Sequence, residues 1–278
     1  SYFGYRPAAI MEFGTGCEKV CNFCLRWRIE GAKEKLIDLE LTKKDMASID
    51  ESTIMFMDND FFANEEKIKL FINIVKELNL NKNYIMYASV KGIIEFEKHL
   101  EELKSLGLKA LLVGYETFNE EEMSKYHKKS TTDDNLKAAN ILKNLKIDVW
   151  ASFIAHPDWS KKDFKLFRKY IKKLKPQITS ISPLTPFPNL PMYREYEHRL
   201  LYKADDYEKW SFGQVIIKPS QIRLNQYYYE LLKTNLYVNL FINKNTDMIK
   251  KYGIKNIIKI LIGSINAAKK YIILMIKN

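Results

Sequence analysis

The chain has 278 residues, 46% of them hydrophobic, enough for a sizeable core, and its 45 basic against 34 acidic residues leave a net charge of +11 and a pI near 9.2. No run of about twenty uninterrupted apolar residues occurs, which excludes a helical membrane span, and neither a signal-peptide pattern nor a low-complexity linker is present. The three cysteines are too few and odd in number for a disulfide framework, so the expected location is a reducing cytoplasm.

In chain order, Ala8 to Phe13 is a short apolar run ending at Gly14 and Gly16, the pattern of a buried strand entering a loop. All three cysteines follow within eight residues, Cys17-Glu-Lys-Val-Cys21-Asn-Phe-Cys24. Thiolates are soft donors that suit zinc or an iron–sulfur cluster. A structural zinc needs a fourth donor, but the next histidine is His99 and no second cysteine pair exists. A cluster normally takes four thiolates, so three leave one iron open to a small molecule.

Apolar runs then recur at Thr53–Met57, Tyr84–Ala88, Ala110–Val113, Val149–Ile154 and Ile178–Leu184, short and continuous as parallel strands covered on both faces should be. Helical patterns separate them at Glu65–Leu78, Glu95–Leu106, Asp134–Leu145 and Lys161–Leu174. Six strands alternating with helices make one α/β domain. A further helix is expected over Leu224–Leu240, where Tyr227, Tyr228 and Tyr229 are core or lid residues.

The order CxxxCxxC, with Phe23 just before the last cysteine, resembles the signature of the radical S-adenosylmethionine (SAM) superfamily. The resemblance implies that Cys17, Cys21 and Cys24 hold a [4Fe-4S] cluster and that Phe23 neighbours the adenine. SAM would chelate the open iron, and one electron, from a donor such as ferredoxin or flavodoxin, would cleave it to a 5′-deoxyadenosyl radical. The implied fold is a partial (β/α)6 TIM-like barrel over residues 1–200, with the cluster loop at 14–30, and a helical C-terminal extension over 201–278.

In parallel barrels the working residues sit on loops at the carboxyl ends of strands. After the second strand, Asp58-Asn59-Asp60-Phe61 resembles the Asp-Asp-x-Phe segment of the cobalamin-type branch, in which Asp58, Asn59 or Asp60 would meet the SAM ammonium. An Asx turn capping the next helix is equally open. After the fourth, Gly114-Tyr115-Glu116-Thr117 and the later Lys128-Lys129-Ser130-Thr131 are similar to paired segments of cobalamin-type and methylthiotransferase-type members. They make Glu116 and Thr117 candidates for the polar ends of SAM and Lys129 for its carboxylate, or else leave the lysines a solvated face. After the fifth, Ala155-His156-Pro157-Asp158 offers His156 as a proton donor or acceptor, with Tyr115 the second catalytic candidate, or as a structural histidine. The sixth ends in a segment of four prolines, Ser182 to Tyr193, that resembles a loop of the same branch and places Thr185 at a wall.

No Asp-x-His-x-x-Gly cobalamin motif occurs in the chain. Only sixteen residues precede Cys17, so cobalamin is expected from a domain cut away or from a partner. From Ile254 to Ile276, apolar residues repeat at three and four, with Lys255, Lys259, Lys270 and Lys277 opposite. Eight lysines against one aspartate from Phe241 onward give +7 of the net charge. Two roles are open for this basic amphipathic helix: lying on an anionic membrane surface, here the inner face, or covering the open side of the barrel.

The expected function is therefore a radical SAM enzyme, similar to class B methyltransferases, that functionalises an unactivated carbon of a hydrophobic or lipid-like small molecule by C-methylation, hydrogen abstraction or C–C bond formation. The alternatives are methylthiotransferase-like RNA modification and a non-catalytic electron-transfer protein. No nucleic-acid partner is expected.

Overall fold

A computed structural model describes residues 5–242, 250 and 252–277. In chain order the elements begin with β1 (Ala8–Met11), β2 (Gly14–Thr15), α1 (Arg26–Glu30), β3 (Lys35–Leu36), α2 (Leu39–Ser48), β4 (Thr53–Phe56), α3 (Glu65–Glu77) and β5 (Asn83–Ala88). They continue with α4 (Val90–Glu95), α5 (Glu97–Ser105), β6 (Leu108–Glu116), α6 (Glu120–Lys125), α7 (Thr132–Asn144), β7 (Asp148–Ala155), α8 (Lys161–Leu174) and β8 (Ile178–Pro183). The C-terminal part carries α9 (Pro191–Tyr196), α10 (Leu224–Tyr237) with a π-helical turn at Val238–Ile242, and α11 (Ile254–Lys277).

Six strands form one sheet in the order β1-β4-β5-β6-β7-β8. Pairing is parallel where β1 meets β4, β4 meets β5 and β5 meets β6, with Ala8 opposite Thr53, Thr53 opposite Asn83, and Tyr84 opposite Leu108. Rising strand order with a helix after each strand is what the partial (β/α)6 reading requires. β2 and β3 form a separate antiparallel ribbon, too short to show as a periodic signal, which closes the cysteine loop with Gly14 opposite Leu36.

Local chemistry sets the helix starts. Asn64 caps α3 by accepting the Lys67 N–H at 2.9 Å, so neither Asp58 nor Asp60 serves as that cap. Reciprocal capping boxes open α7 (Thr131 with Asp134) and α8 (Ser160 with Asp163). The helix expected over Glu95–Leu106 is α5, and a further short helix, α4, capped by Ser89, precedes it and ends at Phe96. Gly92 in α4 is pressed so closely against the preceding loop that a Cβ there would lie 2.5 Å from the Phe62 carbonyl oxygen.

The chain separates into two compact units: Ser1–Val20, Arg26–Tyr115 and Lys128–Ala151 form the first, and Cys21–Leu25, Glu116–His127 and Ser152–Asn278 the second. The first has an aromatic core in which Phe71 packs edge-on against Phe13, Phe56, Phe61 and Tyr84 at centroid distances of 5.1–5.8 Å. In the second, Trp159 packs on Phe164 and Phe167, and Tyr227 on Phe164. Also in the second unit, α11 lies along α10, with the Tyr271 ring 5.9 Å from that of Tyr228.

Because Phe71 touches four rings at once, Phe71→Ala is expected to cost about 3–5 kcal/mol in denaturant unfolding. A loss under about 1 kcal/mol would show that this cluster does not carry the first unit.

Candidate active site

The cysteine loop leaves β2 at Gly16, whose φ of +84° and whose position, with a hypothetical Cβ only 2.0 Å from the Lys33 carbonyl oxygen, admit glycine alone. The Cys17 N–H donates to the Gly31 carbonyl at 3.0 Å, and the Cys24 N–H to the Cys21 carbonyl at 3.2 Å. Cys21 is buried and Cys17 and Cys24 half-buried, and none is in a disulfide. Among the described residues no three His, Cys, Asp or Glu side chains are gathered as a metal-ion group. The fit to a cluster therefore rests on donor chemistry: three soft thiols on one short loop.

In the first unit, the segment after β4 fastens this loop. Asp58 accepts the Phe13 N–H at 2.8 Å and pairs with the buried Lys67 at 2.7 Å, and Lys67 also pairs with Glu34. Asn59 donates to the Gly16 carbonyl at 3.0 Å and to Glu30 at 2.6 Å, and accepts from Arg26 Nε at 2.6 Å. Arg26 also donates to the Met57 carbonyl at 3.0 Å. Asp60 accepts from the Ser89 N–H at 3.0 Å and pairs with the Lys19 ammonium, which also reaches the Ser89 hydroxyl. Burial pushes the Asp60 carboxyl up, but the Lys19 charge and the Lys19 and Ser89 hydrogen bonds outweigh it and hold it below its usual range.

A cavity of about 290 Å³ opens here, lined by Cys17, Lys19, Asp60, Phe62, Asn64 and Lys129 among others. Three of the sequence-selected residues, Cys17, Asp60 and Lys129, thus share one concave surface. Asp58 and Asn59 do not line it. They work in the wall, and Tyr115 is fully buried in β6.

In the second unit, Glu116 ends β6 in the left-handed region, φ 62°, a conformation that a non-glycine residue holds only where its surroundings impose it. The buried Thr117 hydroxyl bonds to Glu122, whose other oxygen accepts Trp159 Nε1–H at 2.6 Å. Burial pushes the Glu122 carboxyl up to about 7, against the pull of those two hydrogen bonds.

His156 is buried, and burial pushes its imidazole down to about 4. Its Nδ1 accepts the Asp158 N–H at 3.2 Å, which leaves the proton on Nε2 to donate to the Tyr196 hydroxyl at 3.0 Å. The Asp158 carboxylate in turn accepts from Arg199 and Ser220. Tyr126 stacks between Phe23 (5.2 Å) and His156 (6.4 Å). Thr185 is buried and turns its hydroxyl back to the Pro183 carbonyl at 3.1 Å.

Sequence reasoning missed Lys19, Arg26, Glu122, Trp159 and Tyr196. Lys19 and Arg26 lie in and just after the cysteine motif, which was the available signal. The other three meet their partners only through space.

Residues 11–171 match the radical SAM superfamily. The chain belongs to this superfamily. It is 25% identical to the hopanoid C-3 methylase of Methylococcus capsulatus, over 82% of this chain and 44% of that protein. With the bacteriochlorophyllide d C-8(2)-methyltransferase of Chlorobaculum tepidum it shares 21% identity over 94% of this chain and 60% of that one. The chain thus spans about half the length of these relatives. Among solved structures it resembles the radical SAM methyltransferase TsrM from Kitasatospora setae, described with cobalamin and a [4Fe-4S] cluster bound, at TM-score 0.59 and 16% identity over 70% of this chain and 40% of that one. The cobalamin-dependent radical enzyme OxsB gives 0.63 and 14%, over 84% and 41%. These structural likenesses show the fold.

The two buried groups of the second unit respond oppositely to pH. The contribution of His156 is lost as pH falls from about 6.5 to about 4, whereas that of Glu122 is complete below about 4.5 and lost as pH rises through about 7. Glu122→Gln keeps an acceptor for Trp159 and a donor for Thr117, so its melting temperature should gain on the parent's between about pH 5 and pH 8. Parallel curves would show that Glu122 carries no raised pKa.

Proposed function

We propose that this chain is the radical SAM part of an enzyme that reductively cleaves SAM at a [4Fe-4S] cluster and functionalises an unactivated carbon of a hydrophobic small molecule, by C-methylation or hydrogen abstraction. The observation that carries the reading is a short loop with three thiols outside any disulfide, one of the three lining a cavity whose buried carboxylate already holds an ammonium group. Cys17, Cys21 and Cys24 would hold the cluster, which when bound supplies the electron that opens the sulfonium.

The remaining work falls to this chain's own side chains. Lys19 Nζ on Asp60 and Ser89 stands in chemically for the amino group of an amino-acid ligand. Asp60, kept ionised, would take that group once Lys19 swings out, and Lys129 on the same cavity would meet the carboxylate. Asp58 and Asn59 keep the loop in place. Glu116, Thr117, Thr185 and Phe23 are proposed for the rest of the same ligand on the strength of their motifs, with Tyr115 and His156 nearer the substrate. His156, neutral with both ring nitrogens engaged, can move a proton only together with Tyr196.

The hydrophobic substrate class is supported by relatives named for acting on a hopanoid and a bacteriochlorophyllide. If methyl transfer is the outcome, a separate domain or partner would supply cobalamin, and an electron donor of the ferredoxin or flavodoxin type would supply the electron. No helix among the described residues is long and apolar enough to cross a membrane, and the contact with a lipid phase that belongs to this proposal is a peripheral one through the C-terminal helix.

Anaerobic reconstitution with iron and sulfide, followed by dithionite and SAM, should yield 5′-deoxyadenosine. Cys21→Ala should lose iron and product together. Asp60→Asn should keep its iron and weaken SAM binding about ten- to hundredfold, the equivalent of about 1.5–3 kcal/mol for a hydrogen bond to a charged group. A parent protein that binds no iron, or an Asp60→Asn variant with unchanged SAM affinity, would remove the respective half of the assignment.

A further inference from the structure

The amphipathic tail does not bury its most apolar side. α11 meets α10 through Ser264, which accepts the Asn239 Nδ2–H at 3.3 Å, and through Tyr271, stacked on Tyr228. These two contacts run in opposite chain directions, so the helices are antiparallel. The opposite flank keeps eight large aliphatic side chains between Ile254 and Ile276 at 40–77% exposure, Ile254, Ile258, Ile265 and Ile276 among them. α10 and the π-helical turn that continues it carry a matching stripe, with Tyr229 50%, Leu236 43% and, in the turn, Leu240 53% exposed. At about 3.6 residues per turn and with antiparallel axes, the two stripes turn to the same side of the helix pair.

Charge says what covers this surface. Exposed Lys255, Lys259 and Lys270 edge the α11 stripe, exposed Lys269 lies within it, and exposed Lys233 edges the α10 stripe. α11 contains no acidic residue, and the single acid of α10, Glu230, is buried against Arg168 at 2.8 Å. An aliphatic strip edged by lysines and free of exposed carboxylates complements a surface that is apolar within and anionic at its rim.

We propose that the outer face of the α10–α11 pair seats the protein on an anionic lipid bilayer, the aliphatic strip at acyl depth and the lysines among the headgroups. This deepens the peripheral contact of the proposed function and adds α10 to it, but it stands independently of the radical chemistry, because sedimentation reads protein whether or not iron is present.

The test is co-sedimentation of the 278-residue chain with phosphatidylcholine vesicles, with and without phosphatidylglycerol. The parent should pellet with anionic vesicles and be released by salt. Lys255→Gln with Lys259→Gln should lower partitioning about 25-fold, about fivefold or ~1 kcal/mol for each lysine near an anionic surface. Ile258→Ser with Ile265→Ser should lower it at least about tenfold, and so should Leu236→Ser with Leu240→Ser. All these side chains are exposed, so circular dichroism and 5′-deoxyadenosine yield should match the parent.

Three results would overturn the proposal. One is failure of the folded parent to pellet with anionic vesicles. Another is binding equal on neutral vesicles and insensitive to salt. The third is a lipid-free dimer that Ile258→Ser with Ile265→Ser makes monomeric, which would assign the face to a second copy. Absence of 5′-deoxyadenosine with vesicle binding intact would count against the radical reading alone.

Discussion

Three consecutive side chains at the end of β4 hold the cysteine loop, and the arrangement of the first unit depends on them. Asp58 takes the backbone at Phe13, Asn59 the backbone at Gly16 and the side chain of Arg26, and Asp60 the side chain of Lys19. These anchor points bracket Cys17 on both sides, so the loop is fixed to a strand end rather than by its own short-range bonds. The duties are divided by partners: Asp58 bonds to the Phe13 N–H and Lys67 in the wall, whereas Asp60 lines the cavity.

That division has an electrostatic logic. Asp58 and Glu34 share the buried Lys67, so one ammonium serves two carboxylates. Removing one partner of a buried pair typically costs about 3–5 kcal/mol because the other charge is left uncompensated. Asp60 instead has a half-exposed partner, Lys19, with 27% of its side chain open to solvent. A lysine that keeps part of its hydration can leave at small cost. The permanent pair serves architecture, and the exchangeable pair suits a ligand site.

Much of the fold was legible because the central strands of the sheet are built around short apolar runs. β4 is buried at all four positions, and its bounds differ from the sequence reading by one residue. The ribbon of β2 and β3 was not legible, since two residues per strand carry no period. The short helix α4 was not legible either: six residues hardly carry a helical period, and its Gly92 is held close to Phe62 from another segment. In the site, cysteine spacing was legible, whereas the duties of Asp58 and Asp60 depended on Lys67 and Lys19 arriving from elsewhere in the chain. For the tail, where two roles were open, the structure leaves the apolar stripe exposed and packs Tyr271 against Tyr228 of α10.

Under the proposed reading, ligand entry exchanges one nitrogen donor for another at Asp60, so the buried carboxylate keeps a hydrogen-bond donor before and after. The displaced lysine is not lost to bulk solvent, because Lys19 is tethered between Cys17 and Cys21. Seating of the ligand's amino group and release of the Lys19 ammonium from Asp60 are thus one exchange, and that coupling follows from where the motif places its lysine.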